Sequence, residues 1–313
     1  MIDYDSPWKE ITECLFPSFM EFFFPEIHAE IDWKVDVIWY SNELQAFEGG
    51  SQQGRKYVDK LVDVRLLNGQ HKWLLIHIEL QNYYENNFEK RVYGYNFYLY
   101  DKYDREVVSL AILGDSVDSW RPNLFERGYW GCNTRFSFPL VKLMDYGKDW
   151  PSLERSKNPF ALVVMAHLKA RRVKGDEDET FAQWKKEFFR HALLGSYTKI
   201  EIVQLTRFID WIIKLPYNLD KRVHVELKKE VGGEAMAYVT TFERFAKEEG
   251  KLEGKLEGKL EGQKNFLLLI LTDKFGAVPT WATEKIKHAS EDALHVWGIA
   301  LGKCDRLEDI FGT

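Results

Sequence analysis

Residues 57–81 read YVDKLVDVRLLNGQHKWLLIHIELQ, two β-type runs joined at Asn68-Gly69. That dipeptide between alternating apolar residues is the strongest short-range signal for a hairpin. The register follows from the faces, because directly opposed residues lie on the same side of a sheet and side chains alternate along each strand. Val58, Val62, Val64 and Leu66 form the apolar set of the first strand, broken by Lys60; Leu74, Ile76, Ile78 and Leu80 form that of the second. Only an odd-length loop centred on Gly69 brings the two sets together. Asp59 then stands across from Glu79 and Asp63 from Leu75, whereas a two-residue loop would mix the faces.

Opposed like charges, with Cβ atoms about 4.5–5.5 Å apart, repel one another. A hard divalent cation with oxygen ligands, such as magnesium, would turn that repulsion into a binding site. An Asp on one strand followed by Glu-x-Gln on the next, here Asp59 and Glu79-Leu80-Gln81, resembles the core of the PD-(D/E)XK nucleases. The wording DKLVDVRLLNG…LLIHIELQ is similar to the recombination-promoting nuclease (Rpn) and transposase family. The resemblance continues through Arg91–Asn96 (RVYGYN) and Val107–Asp115 to Phe138–Leu143 (FPLVKL), roughly the N-terminal half.

The resemblance implies an α/β core of order αβββαβ and a magnesium-dependent DNA endonuclease, with manganese as a substitute, linked to recombination or transposition. It implies that Asp59, Glu79 and the main-chain carbonyl of Leu80 hold the metal. Gln81 stands where the wider superfamily has Lys. Its amide can hydrogen-bond a water or a phosphate oxygen but brings no positive charge. Asp59, Glu79 and Gln81 are thus the catalytic candidates, with Glu21, Asp63, Arg91 and Tyr95 as accessories. Arg91 can reach a phosphate or serve packing, with Tyr95 one turn on. Glu21 can assist the metal or be an exposed carboxylate, and His77 can be a base, a ligand or a hydrogen-bonded structural residue.

Around this stretch, Ser6-Pro7 predicts a helix start and Pro25 its stop; Asp32–Tyr40 contains a first strand. Helical spacing of Phe88, Val92, Tyr95, Leu99 and Tyr103 predicts a crossover helix, and the apolar run Val107–Leu113 a parallel strand buried on both faces. Residues 133–143 alternate and extend the sheet. Beyond Trp150-Pro151 the chain reads as helices: 160–172, 181–194 and 199–215, the last with Thr198 and Glu201 in capping-box spacing. The expected domains are 1–150, a nuclease-like core, and 151–248, a helical region. A KLEG-repeat linker or pairing helix (249–262) and a small helical domain (263–313) follow, the latter resembling a C-terminal domain of unknown function.

Eleven Trp, 15 Tyr and 21 Phe in 313 residues, 45% of them hydrophobic, predict a substantial core. Net charge is −6, against a broad basic surface for nucleic acid, although a local groove can still engage phosphate. Lys169, Arg171, Arg172 and Lys174 form the best basic cluster, either a backbone contact or a helix end favoured by the dipole. Cys14, Cys132 and Cys304 lack zinc spacing. No basic leader or membrane-length apolar run is present, so a cytoplasmic protein is expected. The expected partner is DNA, with a homodimer formed through 250–262; the rival reading is a non-catalytic interaction or DNA-binding protein that keeps the nuclease fold.

Overall fold

The computed structural model describes residues 5–40, 60–67, 73–171, 177–231, 262–276, 278–287, 289, 291–301 and 306–311. Asp59, Arg172, Lys174, Cys304, the Asn68-Gly69 turn and the KLEG repeats up to residue 261 lie outside them. The chain forms two compact units, Met1–Val239 and Thr240–Thr313.

The first unit is mixed α/β. Its elements run α1 (Asp5–Cys14), α2 (Phe16–Phe23), α3 (Pro25–His28), β1 (Ile38–Trp39), β2 (Lys60–Arg65), β3 (Trp73–Gln81), α4 (Phe88–Tyr103) and β4 (Val107–Leu113). Then come β5 (Leu124–Tyr129), β6 (Cys132–Ser137), β7 (Leu140–Lys142), α5 (Leu143–Tyr146) and α6 (Trp150–Arg155). Four longer helices close it: α7 (Pro159–Ala170), α8 (Asp178–Leu194), α9 (Lys199–Ile212) and α10 (Tyr217–Val231).

The main sheet has the order β1-β2-β3-β4-β7, antiparallel on the β1-β2-β3 side and parallel from β3 to β7. In the β2–β3 pair Lys60 faces Ile78, Val62 faces Ile76 and Asp63 faces Leu75, the register expected from the apolar sets. Val62, Val64, Ile76, Ile78 and Leu80 therefore point together into the main core, against Trp8, Phe16, Phe19 and Phe160 from the helices. Leu61 and Leu75 point the other way, towards Tyr95 and Leu99 of α4. A one-residue slip would exchange these faces, which is why the pattern fixes the register so firmly.

Several expectations need correction. The helix expected from Pro7 to Pro25 is broken: α2 restarts at Phe16 with Pro17 in its first turn, where a missing N–H loses no helical bond. Ser6 lies inside α1 rather than capping it, and Pro25 opens α3 instead of only ending α2. Of the expected first strand, Ile38–Trp39 form β1, and Asp32 and Tyr40 each add one backbone hydrogen bond to β2, to the Arg65 and Leu61 carbonyls. The 133–143 stretch is split: β6 pairs with β5 in a separate antiparallel ribbon, while only β7 joins the main sheet beside β4. No division falls at residue 150, because α7, α8 and α9 contribute Phe160, Phe181 and Phe208 to the same core as the sheet. The capping box at Thr198 and Glu201 forms as expected.

The second unit contains α11 (262–275), α12 (Thr280–Lys287), α13 (Glu291–Leu301) and the one-turn α14 (Leu307–Ile310). Leu271, Ala282, Ile286, Leu294 and Phe311 supply its own core. Among the described residues no helix is long and apolar enough to cross a membrane.

Candidate functional site

Alternation along β3 puts His77, Glu79 and Gln81 on the face covered by α4, opposite the apolar core. Glu79 is fully buried there. Its Oε1 lies 2.7 Å from His77 Nε2, and its Oε2 lies 3.1 Å from Arg91 Nη1. Arg91 Nη2 donates to Gln81 Oε1 at 2.8 Å and stands 3.2 Å from Glu85 Oε2. The other end of the Gln81 amide donates to the Tyr83 carbonyl at 2.8 Å.

Burial alone would push the Glu79 carboxyl up. The His77 hydrogen bond and the charge of Arg91, with a further contribution from Lys9, outweigh it and hold the group below its ordinary value, as an anion. A carboxylate only accepts, so His77 Nε2 carries the proton in that bond. His77 Nδ1 lies 3.0 Å from Ser109 Oγ, and Asn96 Nδ2 donates to Ser109 Oγ at 3.1 Å and to the Val107 carbonyl at 2.9 Å. Asn96 Nδ2 can only donate, so the Ser109 hydroxyl accepts from it and turns its other side to His77 Nδ1. The relay Asn96–Ser109–His77–Glu79 is then satisfied at every joint, and His77 is a positioning residue. Tyr95 is buried beneath: its ring lies 5.7 Å edge-on from His77, and the Arg91 guanidinium sits 5.9 Å from its centroid.

The other candidates are dispersed. Asp63 is buried in a bidentate pair with Arg105, at 2.6 and 2.8 Å, and receives the Tyr40 hydroxyl at 3.4 Å, away from Glu79. Glu21 is exposed on α2 and accepts from Asn158 Nδ2 at 2.9 Å. The first-helix carboxylate that does meet the strands is Glu13, paired with Lys60, the residue next to Asp59. Helical spacing could have found it, since Lys9 and Glu13 share one stripe of α1. The Leu80 side chain belongs to the main core, on the opposite side of the sheet from Glu79. Of the basic cluster, Lys169 Nζ rests between the rings of Trp150 and Trp184, and Arg171 donates to the Gly114 carbonyl. These two are engaged in packing.

Two buried lysines escaped sequence reasoning. Lys142 Nζ is held by Asp115 Oδ2 at 2.5 Å and by the carbonyls of Val117 and Trp120, pinning the loop after β4. Lys185 Nζ lies 2.7 Å from Asp210 and 2.6 Å from Asp220. Asp210, Asp220 and His224 bring ligand atoms within 4.8 Å of one another, close enough for a metal. The Lys185 ammonium already supplies the cation that the two carboxylates require.

Glu79 offers one buried carboxylate, with the Arg91 guanidinium already beside it. Oε2 accepts no well-aligned hydrogen bond although it is fully buried, so a lone pair remains open on an anionic oxygen. A metal ion would compete with Arg91 for that oxygen. Comparison with protein-family models, with curated proteins and with solved structures finds no match to this chain.

Proposed function

We propose that this chain is a metal-dependent DNA endonuclease with a PD-(D/E)XK-type core, related to the Rpn proteins and hence to recombination or transposition. The observation that carries the reading is Glu79: a fully buried carboxylate kept anionic, one oxygen fixed by His77 and the other facing Arg91 at 3.1 Å without an aligned hydrogen bond. The β2–β3 register supports it, since Lys60 pairs with Ile78 and Asp63 with Leu75, as the apolar sets require.

In this reading Asp59, Glu79 and the Leu80 carbonyl hold magnesium, or manganese in its place. The ion supplies a Lewis acid for the scissile phosphate and a water of lowered pKa. His77 fixes Oε1 so that Oε2 is presented in one orientation. Gln81, its amide already aligned by Arg91 and Tyr83, orients the attacking water or a phosphate oxygen. Arg91, shared among Glu79, Glu85 and Gln81, is the cation that can turn to a phosphate oxygen when Glu79 is otherwise neutralised.

A second reading, a non-catalytic interaction protein on the same fold, draws on Arg91 as well: the guanidinium balances Glu79 without any metal. Supercoiled plasmid incubated with magnesium, then manganese, separates the two. Nicking that EDTA stops and that both Asp59→Ala and Glu79→Ala abolish, with unchanged circular dichroism, is the expected result; a folded wild type inert with both ions contradicts it.

A further inference from the structure

The β5–β6 ribbon turns through Trp130 and Gly131, with φ of +51° and +86°. Positive φ at both central residues belongs to the primed hairpin turns, where Asn-Gly or Gly-Gly is the usual choice and a bulky residue is strained. A tryptophan at the first of these positions breaks the local rule. It gains no burial in return, being 95% exposed, with Tyr129 beside it at 71% and the two rings 4.7 Å apart. Residues that violate local preference without a packing reason are where function is expected.

The ribbon continues into a second aromatic surface. Arg127 shares a strand face with Tyr129, and its guanidinium lies 5.7 Å from the Tyr93 ring of α4; Phe125 stacks on that same ring at 4.8 Å. On α4, Lys90, Tyr93, Phe97 and Tyr100 follow at helical spacing on one stripe, and Phe97 and Tyr100 are 58% and 48% exposed. Glu126, the ribbon's one acidic residue, is taken by Arg135 at 3.1 Å. Among the described residues Arg127 and Lys90 have no carboxylate partner, so the aromatic surface carries two uncompensated positive charges.

We infer that the Tyr129-Trp130 tip, Arg127 and the outer stripe of α4 form a stacking surface for single-stranded nucleic acid. Exposed rings interleaved with unpaired cations are what unpaired bases and their phosphates require, and every base offers a face to stack. The inference rests on the nuclease reading for the class of partner, and it adds that the substrate carries unpaired nucleotides.

The test is anisotropy of fluorescein-labelled oligothymidine and of a duplex, titrated in EDTA with the full chain, Trp130→Asn, Arg127→Gln and Glu79→Ala. Asn suits the turn better than Trp, so Trp130→Asn removes the ring without endangering the hairpin. The expected result is single-strand binding by wild type and Glu79→Ala, weakened roughly 5- to 150-fold in Trp130→Asn, the range of one lost base–aromatic stack. A smaller loss that vanishes at high salt is expected for Arg127→Gln. Equal binding by Trp130→Asn and wild type, binding of duplex alone, or no oligonucleotide binding by wild type overturns the inference. Single-strand binding that needs Trp130 in a protein that cuts neither plasmid nor oligothymidine with magnesium or manganese would sink the nuclease reading and leave the ribbon standing; cleavage with binding indifferent to Trp130 would do the reverse.

Discussion

Glu79 in the sheet and Lys185 in the helical part are both almost fully buried and sit in ion pairs, yet they are balanced in opposite ways. Lys185 meets two carboxylates, Asp210 and Asp220, whose side chains remain 29% and 31% exposed, so excess anion surrounds the ammonium and reaches water. Glu79 is fully buried, its one ion-pair contact with a full cation among the described residues is Arg91, which it shares with Glu85 and Gln81, and one of its oxygens accepts no aligned hydrogen bond. The triad of Asp210, Asp220 and His224 meets the distance requirement and is closed by a lysine. Glu79 stands without such a cluster among the described residues and keeps the open lone pair.

The comparison breaks or sharpens most at Arg91. Replacing it with Met strands a buried carboxylate and should cost about 3–5 kcal/mol in denaturant unfolding, most of it regained on adding Glu79→Gln. A cost below about 1 kcal/mol would mean that Glu79 is compensated elsewhere. His167 comes next, as a buried group saturated while neutral: Trp8 Nε1 donates to Nδ1 at 3.1 Å, and Nε2 meets the Gly114 carbonyl at 3.1 Å. Burial pulls its pKa down to about 4, against an ordinary value near 6.5. Below pH 6.5 the unfolded chain takes up a proton that the folded chain refuses. The stability His167 contributes is thus complete above that pH and falls by about 1.4 kcal/mol per unit on acidification towards pH 4. His167→Gln should flatten that part of the stability profile, and an unchanged slope would contradict the assignment. Lys185→Met should cost less, about 2 kcal/mol, because the carboxylates it leaves are partly solvated. A cost as large as that of Arg91→Met would erase the contrast between the two clusters.

Much of the sheet was legible because alternation has only two phases. The apolar sets of β2 and β3 admit one register, and the run Val107–Leu113 predicts β4 to the residue. Glu79 followed from that register, whereas Gln81 came only from the resemblance to the Glu-x-Gln motif. The first helix was less legible, since apolar periodicity runs through Leu15 and hides the break that Pro17 permits. The β5–β6 ribbon was missed because its turn is Trp-Gly rather than Asn-Gly, so no turn signal separated its strands. The partners of the site residues were hardest to read. That Arg91 reaches back to Glu79, that Asp63 is closed by Arg105, and that Glu13 rather than Glu21 meets the strands depend on how helices lie across the sheet. Side-chain spacing along one element carries no record of that.

Calorimetric titration with manganese and magnesium is the most direct test of whether Glu79 is a metal site or a closed ion pair. The account predicts a heat of binding in wild type that disappears in Asp59→Asn and Glu79→Gln, strengthens in Arg91→Met where the competing cation is gone, and is untouched by Asp210→Asn. No binding in wild type or Arg91→Met, or binding lost only with Asp210→Asn, would contradict it.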